Sequence, residues 1–268
     1  MRIYGDLGSG NCLKVKYAAD VLGLAYEWVP IDIMRGESRT PEFLARNITG
    51  QVPVIELADG RCLSQSNAII RFLARGSALL PDDAFLQAKV DEWLFWEQNA
   101  HEFFVAGARF QVVYLGRSVD QVDRLRIDRG NEALDMMEKV LGSADYFVGK
   151  TLTIADIALL PYTRMAGDGG FDLSIRPNLS AWIKRCEDVL GLGAYYGECQ
   201  SLLGGEHACQ KQSRSSSVNM RVISCWSAIL KEIGWNAHFW SRNLYAKILA
   251  KTEHGEPFVK FRKLAGVG

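Results

Sequence analysis

The sequence predicts an α/β domain, then an all-helical domain, then a basic C-terminal extension, and three observations carry this prediction. Short strand patterns alternate with helical ones over residues 1–75. From residue 82 to residue 190 the chain has long helical runs and no strand signal. The composition then changes near residue 200. We therefore place domains at 1–75 and 82–198, and an atypical, partly disordered extension at 199–268.

The first domain has the element order β-α-β, α, β-hairpin, α. Thr40 and Pro41 fit the N-cap and first position of the second helix, because a proline there needs no hydrogen-bond acceptor. The tight-turn sequence "ADGR" between two short strands predicts an antiparallel hairpin. The predicted segments are strands "MRIY", "YEWVPID", "VPVIEL" and "RCLS", and helices "NCLKVKYAADVLGL", "TPEFLARN" and "QSNAIIRFLAR".

The second domain is predicted from its apolar periodicity. Within "LTIADIALLP", Thr153 and Asp156 have the spacing of a capping box at the start of a core helix. The other predicted helical runs are "FLQAKVDEWLFWEQNAHEFFVAGARFQVVYL", "DRLRIDRGNEALDMMEKVLG" and "PNLSAWIKRCEDVL".

Composition limits the class of protein. The 268 residues are 48% hydrophobic and have a formal net charge of zero. The N-terminus lacks a signal-peptide pattern, and no apolar run approaches the roughly 20 residues that a membrane helix needs. Six dispersed cysteines are typical of reduced thiols. We expect a cytoplasmic protein whose partners are neither nucleic acid nor a membrane.

The extension differs in charge from the rest of the chain. Residues 200–268 hold ten Lys and Arg against four Asp and Glu, a net charge of +6. The polar stretch 204–219 predicts a linker, because it offers almost nothing to bury. The apolar-rich segments 221–235 and 238–251 predict either docked helices or basic amphipathic segments near a membrane surface. Its cysteines and histidines lack metal-ligand spacing, so we expect no metal site.

The order of elements in the first domain is that of a thioredoxin-like fold. In such a fold, Val52-Pro53 at the start of a strand predicts a cis peptide, with the Val52 backbone open to an extended, peptide-like ligand. The alternative is an ordinary proline at the beginning of a strand.

The turn after the first strand carries Ser9 and Cys12, where thioredoxin-type domains have C-x-x-C. Ser9 has no nearby base in the sequence, so we expect it to donate a hydrogen bond to a sulfur on the ligand rather than act as a nucleophile. Asn11 can share or replace this role. Cys12 is expected to be a small buried packing residue, because free cysteine is among the most buried types.

These features together resemble the glutathione transferases over about residues 1–195. The matching motifs are "GSGNC", "GQVP", "SQSNAIIRFLA" and "LTIADIALLP". The serine-containing turn resembles that of theta- and zeta-like, bacterial-type members of the cytosolic family. Two departures stand out: Asn47-Ile48-Thr49-Gly50 replaces the frequent Asn-Pro-x-Gly, and Gln65 stands where many members have Glu or Asp. The second leaves less negative charge for the ligand's α-amino group.

The resemblance implies glutathione as co-substrate and no further cofactor. Ser66 would hold the γ-glutamyl end while Gln65 meets the amino group. The alternative is that Ser64 or Ser66 only caps the helix.

The resemblance also implies residues for the other end of glutathione. Gln51 and Val52, with Pro53 beside them, would hold the cysteinyl backbone and the glycine end. Arg35 and Arg39 can reach the glycine carboxylate.

An electrophilic small molecule would bind against the helical domain. Phe103, Arg109 and Phe110 are the leading acceptor-pocket residues. The alternative is that this aromatic stripe belongs to the core or to the interface of a homodimer. His101 is expected at a surface or interface. The wider set of candidates adds Trp93, Trp96, Phe104 and Tyr114.

The sequence therefore predicts a glutathione transferase that activates the glutathione thiol for attack on an electrophile. One alternative is a glutathione-dependent disulfide reductase using the same site. Another is a non-catalytic interaction module, since a fold does not imply an activity. The joint presence of Ser9, Val52-Pro53 and Ser66 argues against that module.

Overall fold

The computed structural model describes residues 1–194, and every structural statement concerns that part of the chain. The predictions for the basic extension, including its linker, its two apolar-rich segments and its lack of a metal site, fall on residues outside the described part. None of the helices within residues 1–194 is long and apolar enough to cross a membrane.

The N-terminal domain is a four-stranded mixed sheet with helices, and the predicted α/β thioredoxin-like class is confirmed. The strand order is β2-β1-β3-β4, with β1 and β2 parallel and the other two pairs antiparallel. The strands are β1 (Arg2–Gly5), β2 (Glu27–Pro30), β3 (Val54–Glu56) and β4 (Cys62–Ser64). The helices are α1 (Gly10–Val21), α2 (Pro41–Leu44), which follows a 3₁₀ turn at Glu37–Arg39, and α3 (Ser66–Leu73).

The core of this domain lies between the sheet and its helices. Ile3 on the central strand pairs with Ile55 and is fully buried. Val15 of α1 and Ile69 of α3 are buried in the same cluster. Burying an aliphatic side chain contributes about 1.5–3 kcal/mol. This packing fixes the start of α1 beside the carboxyl end of β1.

The C-terminal domain is helical throughout its described part, as predicted. Its helices are α4 (Ala84–Trp96), α5 (Gly107–Arg109), α6 (Arg124–Leu141), α7 (Ile154–Arg164) and α8 (Pro177–Leu190). Short 3₁₀ turns lie at Val119–Gln121 and Ala166–Gly169.

The run between α4 and α6 differs from the regular helix that its periodicity predicts. Glu97–Ala106 and Phe110–Tyr114 adopt wide π-helical turns on either side of α5. Five buried residues of α4 and the run after it form a stripe that recurs every fourth position, and an ideal α-helix would rotate such a stripe by about 40° per step. Wider turns reduce this rotation and keep the stripe on the core. The stripe consists of Trp93, Glu97, His101, Val105 and Arg109.

Two predicted helix starts are confirmed. The Thr40 hydroxyl accepts from the Phe43 N–H at 3.3 Å, with Pro41 at the first helical position. Thr153 and Asp156 form the predicted capping box of α7. The buried Asp156 carboxylate also accepts from the Trp182 indole N–H at 3.0 Å, so it ties α7 to α8.

Candidate functional site

A cleft of about 600 Å³ lies between the N-terminal domain and the widened helical run. Its described lining is mostly polar and includes nine of the residues predicted from the sequence. Those nine are Ser9, Asn11, Arg39, Gln51, Val52, Pro53, Gln65, Ser66 and Phe110, to which the structure adds Ile33, Met34, Ser38, Asn47, Gly50, Gln98 and Glu102.

The turn between β1 and α1 presents Ser9 to this cleft. The Asp6 carbonyl accepts from the Ser9 N–H, and the Asp6 carboxylate accepts from the Gly8 N–H at 2.8 Å. Ser9 occupies the N-cap position of α1, but its side chain makes no capping bond. Its hydroxyl therefore lies at the positive end of the helix dipole, where a thiolate is stabilised.

Tyr162 of α7 lies directly against this turn, and sequence reasoning missed it. A Cβ on Gly10 would come within 2.6 Å of the Tyr162 ring, so only glycine permits the contact. Burial raises the pKa of Tyr162 well above its usual range, while the Ser9 side chain and the Asn11 backbone N–H lower it. A neutral phenol from the helical domain thus supports the turn. Nothing in "LLPYTR" distinguishes this tyrosine from a core residue.

Cys12 is buried, as predicted. Its sulfur accepts from the Asp6 N–H at 3.4 Å. Burial raises the pKa of the Cys12 thiol to about 12, despite opposing hydrogen bonds from Asp6 and Ser9. The thiol therefore stays protonated at neutral pH.

The loop before β3 is closed by Asn47. Its side-chain amide donates to the Gln51 carbonyl at 2.8 Å, and its Oδ1 accepts from the Thr49 N–H at 3.2 Å. The Val52-Pro53 peptide is cis, as predicted. Although this loop departs from Asn-Pro-x-Gly, hydrogen bonds of the Asn47 side chain therefore stabilise its conformation.

Arg39 lies across this loop. Its Nη1 donates to the Thr49 carbonyl at 2.9 Å. Gly50 has φ 62°, and a Cβ there would come within 2.5 Å of Arg39 Nη1. The positive φ, together with a Cβ contact of 2.9 Å to the Ser38 carbonyl oxygen, requires glycine at this position. Arg35, the other candidate for the glycine carboxylate, pairs with Asp32 and does not line the cleft.

Gln65 and Ser66 begin α3. Gln65 has φ 69° and is the only non-glycine residue of positive φ among residues 1–194. Such backbone strain costs about 1–3 kcal/mol and concentrates at functional sites. Gln65 is the N-cap residue, and the Ser66 hydroxyl donates to Asn11 Oδ1 at 2.8 Å. The alternative in which Ser64 or Ser66 caps the helix is therefore wrong.

Asn11 belongs to a polar network that joins the two domains. Its Nδ2 donates to Glu102 Oε1 at 2.6 Å, and its Oδ1 accepts from Ser66. Reversing the amide would place oxygen against the carboxylate, so this network sets its orientation. Asn11 is therefore held between α3 and the helical domain.

Lys14 is the centre of this network and was not predicted. It is fully buried, with Nζ 2.8 Å from Glu97 Oε1 and 3.3 Å from Glu102 Oε2. Asn67 of α3 donates to Glu97 Oε2 at 3.0 Å. The sequence held one signal for this network. The stripe that recurs every fourth position along the helical run includes the polar residues Glu97 and His101, and polar residues at inward-facing positions need buried partners.

His101 is buried, so its predicted surface or interface position is wrong. The Thr163 hydroxyl donates to the Leu159 carbonyl at 2.7 Å and therefore accepts from His101 Nε2 at 3.0 Å. Burial lowers the pKa of His101 to about 3, and the nearby Lys14 charge adds to the effect. His101 is therefore a neutral residue of the core.

The predicted acceptor-pocket residues separate in the structure. Phe110 lines both the main cleft and a neighbouring cavity of about 60 Å³. Arg109 lines only the smaller cavity, where it pairs with Asp168 at 3.0 Å and donates to the Gly8 carbonyl. Phe103 lines neither and contacts Arg126, so its placement in the pocket is wrong.

The remaining aromatic candidates divide in the same way. Tyr114 lines the smaller cavity, stacks on Phe110 and donates to Asp6 Oδ2 at 3.0 Å. Trp93 is buried against Trp96 and Phe147, which agrees with the alternative that the aromatic stripe belongs to the core. The smaller cavity thus has an aromatic wall beside Ser9.

The comparisons with known proteins agree with this architecture. Two family models match: the glutathione S-transferase N-terminal domain over residues 8–75 and the C-terminal domain over residues 122–188. A Fusarium protein named glutathione S-transferase-like protein LUC7 is 31% identical, covering 69% of this chain and 87% of the relative.

Solved structures give the same result. A glutathione S-transferase from Pseudomonas fluorescens Pf-5 is 47% identical with a TM-score of 0.67, covering 69% of this chain and 94% of that one. One from Xanthobacter autotrophicus Py2 is 40% identical with a TM-score of 0.68, covering 72% and 95%. The chain belongs to the glutathione transferase family.

Proposed function

We propose that the cleft binds glutathione and that Ser9 stabilises its thiolate for attack on an electrophilic small molecule. The observation that carries this proposal is the meeting of Ser9, the Gln51–Pro53 segment and Ser66 in one cleft. The Val52 backbone would pair with the cysteinyl unit, Ser66 and the start of α3 would hold the γ-glutamyl carboxylate, and Arg39 would face the glycine carboxylate.

The energetics suit this role. A thiol of pKa about 8.5 is roughly 3% ionised at pH 7. Lowering that pKa to about 6.5 requires the site to stabilise the thiolate over the thiol by about 2.7 kcal/mol. A hydrogen bond to a charged group contributes about 1.5–3 kcal/mol, and a helix N-terminus adds about 0.3–1 kcal/mol. One hydroxyl at the start of α1 is therefore sufficient. The electrophile would bind beside Phe110 and the small aromatic cavity.

We also propose a cytoplasmic homodimer. Phe85 and Phe95 of α4 are 72% and 77% exposed, and an interface between two copies of the chain would remove this apolar surface from water. Analytical ultracentrifugation tests this directly: a Phe95→Glu variant should shift the dimer toward monomer, and a monomeric unsubstituted chain would contradict the proposal.

Calorimetry with glutathione tests the proposed ligand. We expect one glutathione per chain, turnover with an activated aryl halide, and slower turnover with a glutathione mixed disulfide. Faster turnover of the disulfide would favour the reductase alternative. Binding without turnover on either substrate would favour a non-catalytic module, and absence of binding would contradict the proposal.

A further inference from the structure

Two buried side chains that carry hydrogen-bonding groups, Cys12 and Tyr162, lie beside Ser9. Cys12 is fully buried, and Tyr162 is 9% exposed. Both pack closely on glycines next to the turn: a Cβ on Gly5 would come within 3.0 Å of Cys12 Sγ, and a Cβ on Gly10 within 2.6 Å of the Tyr162 ring. Tyr162 and Ser9 also line the same small cavity. The packing therefore holds a thiol and a phenol at the Ser9 side chain.

Both of these groups keep their protons at neutral pH. Burial raises the pKa of the Cys12 thiol to about 12 and the pKa of Tyr162 well above its usual range. Each group also meets one backbone donor. The Asp6 N–H donates to Cys12 Sγ at 3.4 Å, and the Asn11 N–H hydrogen-bonds to the Tyr162 oxygen. Since a backbone N–H can only donate, the thiol and the phenol each have a proton of their own left to donate.

The Ser9 hydroxyl is a hydrogen-bond partner of both groups. A hydroxyl has one proton and two lone pairs. One proton cannot serve the thiol, the phenol and a ligand sulfur together, whereas two lone pairs can accept from the thiol and the phenol at once. The Ser9 side chain makes no capping bond to the backbone of α1, so no capping N–H occupies either lone pair. This arrangement satisfies both buried groups and leaves the Ser9 proton for the cleft.

We infer that Cys12 and Tyr162 are positioning residues that donate to Ser9 Oγ and so direct the Ser9 proton toward the ligand sulfur. The inference rests on the proposed function, in which Ser9 stabilises the glutathione thiolate. Hydrogen bonds in a chain polarise one another, so a hydroxyl that accepts two of them is a stronger donor. The cysteine of the S-x-x-C turn then acts as a donor to Ser9, a role that requires the protonated thiol.

The test measures the pKa of glutathione bound to the full chain, from the ultraviolet absorbance of its thiolate against pH. Tyr162→Phe and Cys12→Ala each remove one donor to Ser9. We expect each to raise the bound pKa by about 0.5, because polarisation adds only a fraction of one hydrogen bond to the charged sulfur. Cys12→Ser retains a donor of similar size at the same place, so it should keep the unsubstituted value.

Two controls separate this role from a loss of structure. Tyr17 is a buried phenol that also joins α1 to α7, since its oxygen accepts from Arg164 Nη1 at 2.9 Å. Tyr17→Phe removes a comparable hydroxyl away from Ser9 and should leave the bound pKa unchanged. S-methylglutathione has no ionisable sulfur, so its affinity should change by less than about twofold in every variant.

The outcomes also separate this inference from the proposed function. An unchanged bound pKa in Tyr162→Phe or in Cys12→Ala, with intact S-methylglutathione affinity, overturns the two-donor arrangement. An equal rise in Cys12→Ser and Cys12→Ala identifies a packing role for Cys12 and overturns it as well. Because each position alone can overturn the inference, the test remains decisive if one variant does not fold. An unsubstituted chain that fails to bind glutathione, or binds it without lowering its thiol pKa, contradicts the proposed function itself.

Discussion

One wall of the cleft is built from turns and short segments of the α/β domain, and the other is a face of the helical run between residues 84 and 114. The first wall places single polar groups at the ends of α1 and α3, where local sequence dictates the backbone. The second wall depends on the phase of a long helix, and its wide turns decide which side chains face inward. Functional groups on the first wall can therefore be predicted from short sequence motifs, whereas those on the second wall cannot.

The largest effect is expected at the ion pair between Lys14 and Glu97, which joins the two walls. Lys14→Met leaves Glu97 buried without its cation, and breaking a buried pair in this way costs about 3–5 kcal/mol. Urea unfolding monitored by circular dichroism measures the loss. The double variant Lys14→Met/Glu97→Gln serves as control, because it removes the stranded charge and should recover part of the stability. A loss below about 1 kcal/mol, or a double variant no more stable than the single one, would show that the pair is not the link described here.

A smaller effect concerns the helical wall alone. His101 has a pKa of about 3 when folded and an ordinary value near 6.5 when unfolded. Between these values the unfolded chain binds a proton that the folded chain does not, so stability falls as the pH drops from 6.5 toward 3. The slope is at most about 1.4 kcal/mol per pH unit. Denaturant unfolding from pH 7 to 4 should show that the free energy of unfolding falls less steeply toward acid pH in His101→Gln than in the unsubstituted chain. Equal slopes would mean that His101 is not held neutral.

The smallest expected effect concerns the α/β wall. With a pKa of about 12, Cys12 is roughly one part in ten thousand thiolate at pH 8, so it should resist iodoacetamide. Cys62 is exposed and provides the internal comparison. Peptide mass spectrometry should find Cys62 alkylated first and Cys12 only after denaturation. Rapid native labelling of Cys12 would contradict its burial and its raised pKa, and it would favour direct redox chemistry of Cys12 at the S-x-x-C turn.

The extent of sequence prediction follows the same division. The order of elements, the β3-β4 hairpin, the caps at Thr40 and Thr153 and the cis Val52-Pro53 peptide arise from contacts within a few residues or from short motifs, and they are confirmed. His101 was expected at a surface or interface, but it is buried, and Phe103, expected in the acceptor pocket, lines neither of the two cavities. Which side chains of this run face inward depends on its wide turns, and no short motif encodes those turns.

Lys14, Glu102 and Tyr162 could not be found from local patterns. Their roles come from pairing across the domain boundary, between α1 and elements more than 80 residues later. A lone charged residue in an apolar helix has no identified partner until the fold brings one to it. The roles of Ser9, Gln51 and Arg39 toward a ligand stay predictions, although the cleft brings these residues together.

The most direct test of the account is the pKa of glutathione bound to the unsubstituted chain and to Ser9→Ala, read from the ultraviolet absorbance of the thiolate against pH. S-methylglutathione, which cannot ionise at sulfur, should bind both proteins equally and so controls for the fold of the site. We expect a bound pKa near 6.5 for the unsubstituted chain, and an increase of about 1–2 in Ser9→Ala, which corresponds to one hydrogen bond to a charged sulfur. An unchanged pKa in Ser9→Ala with intact binding would contradict the assignment of Ser9 as the group that stabilises the thiolate.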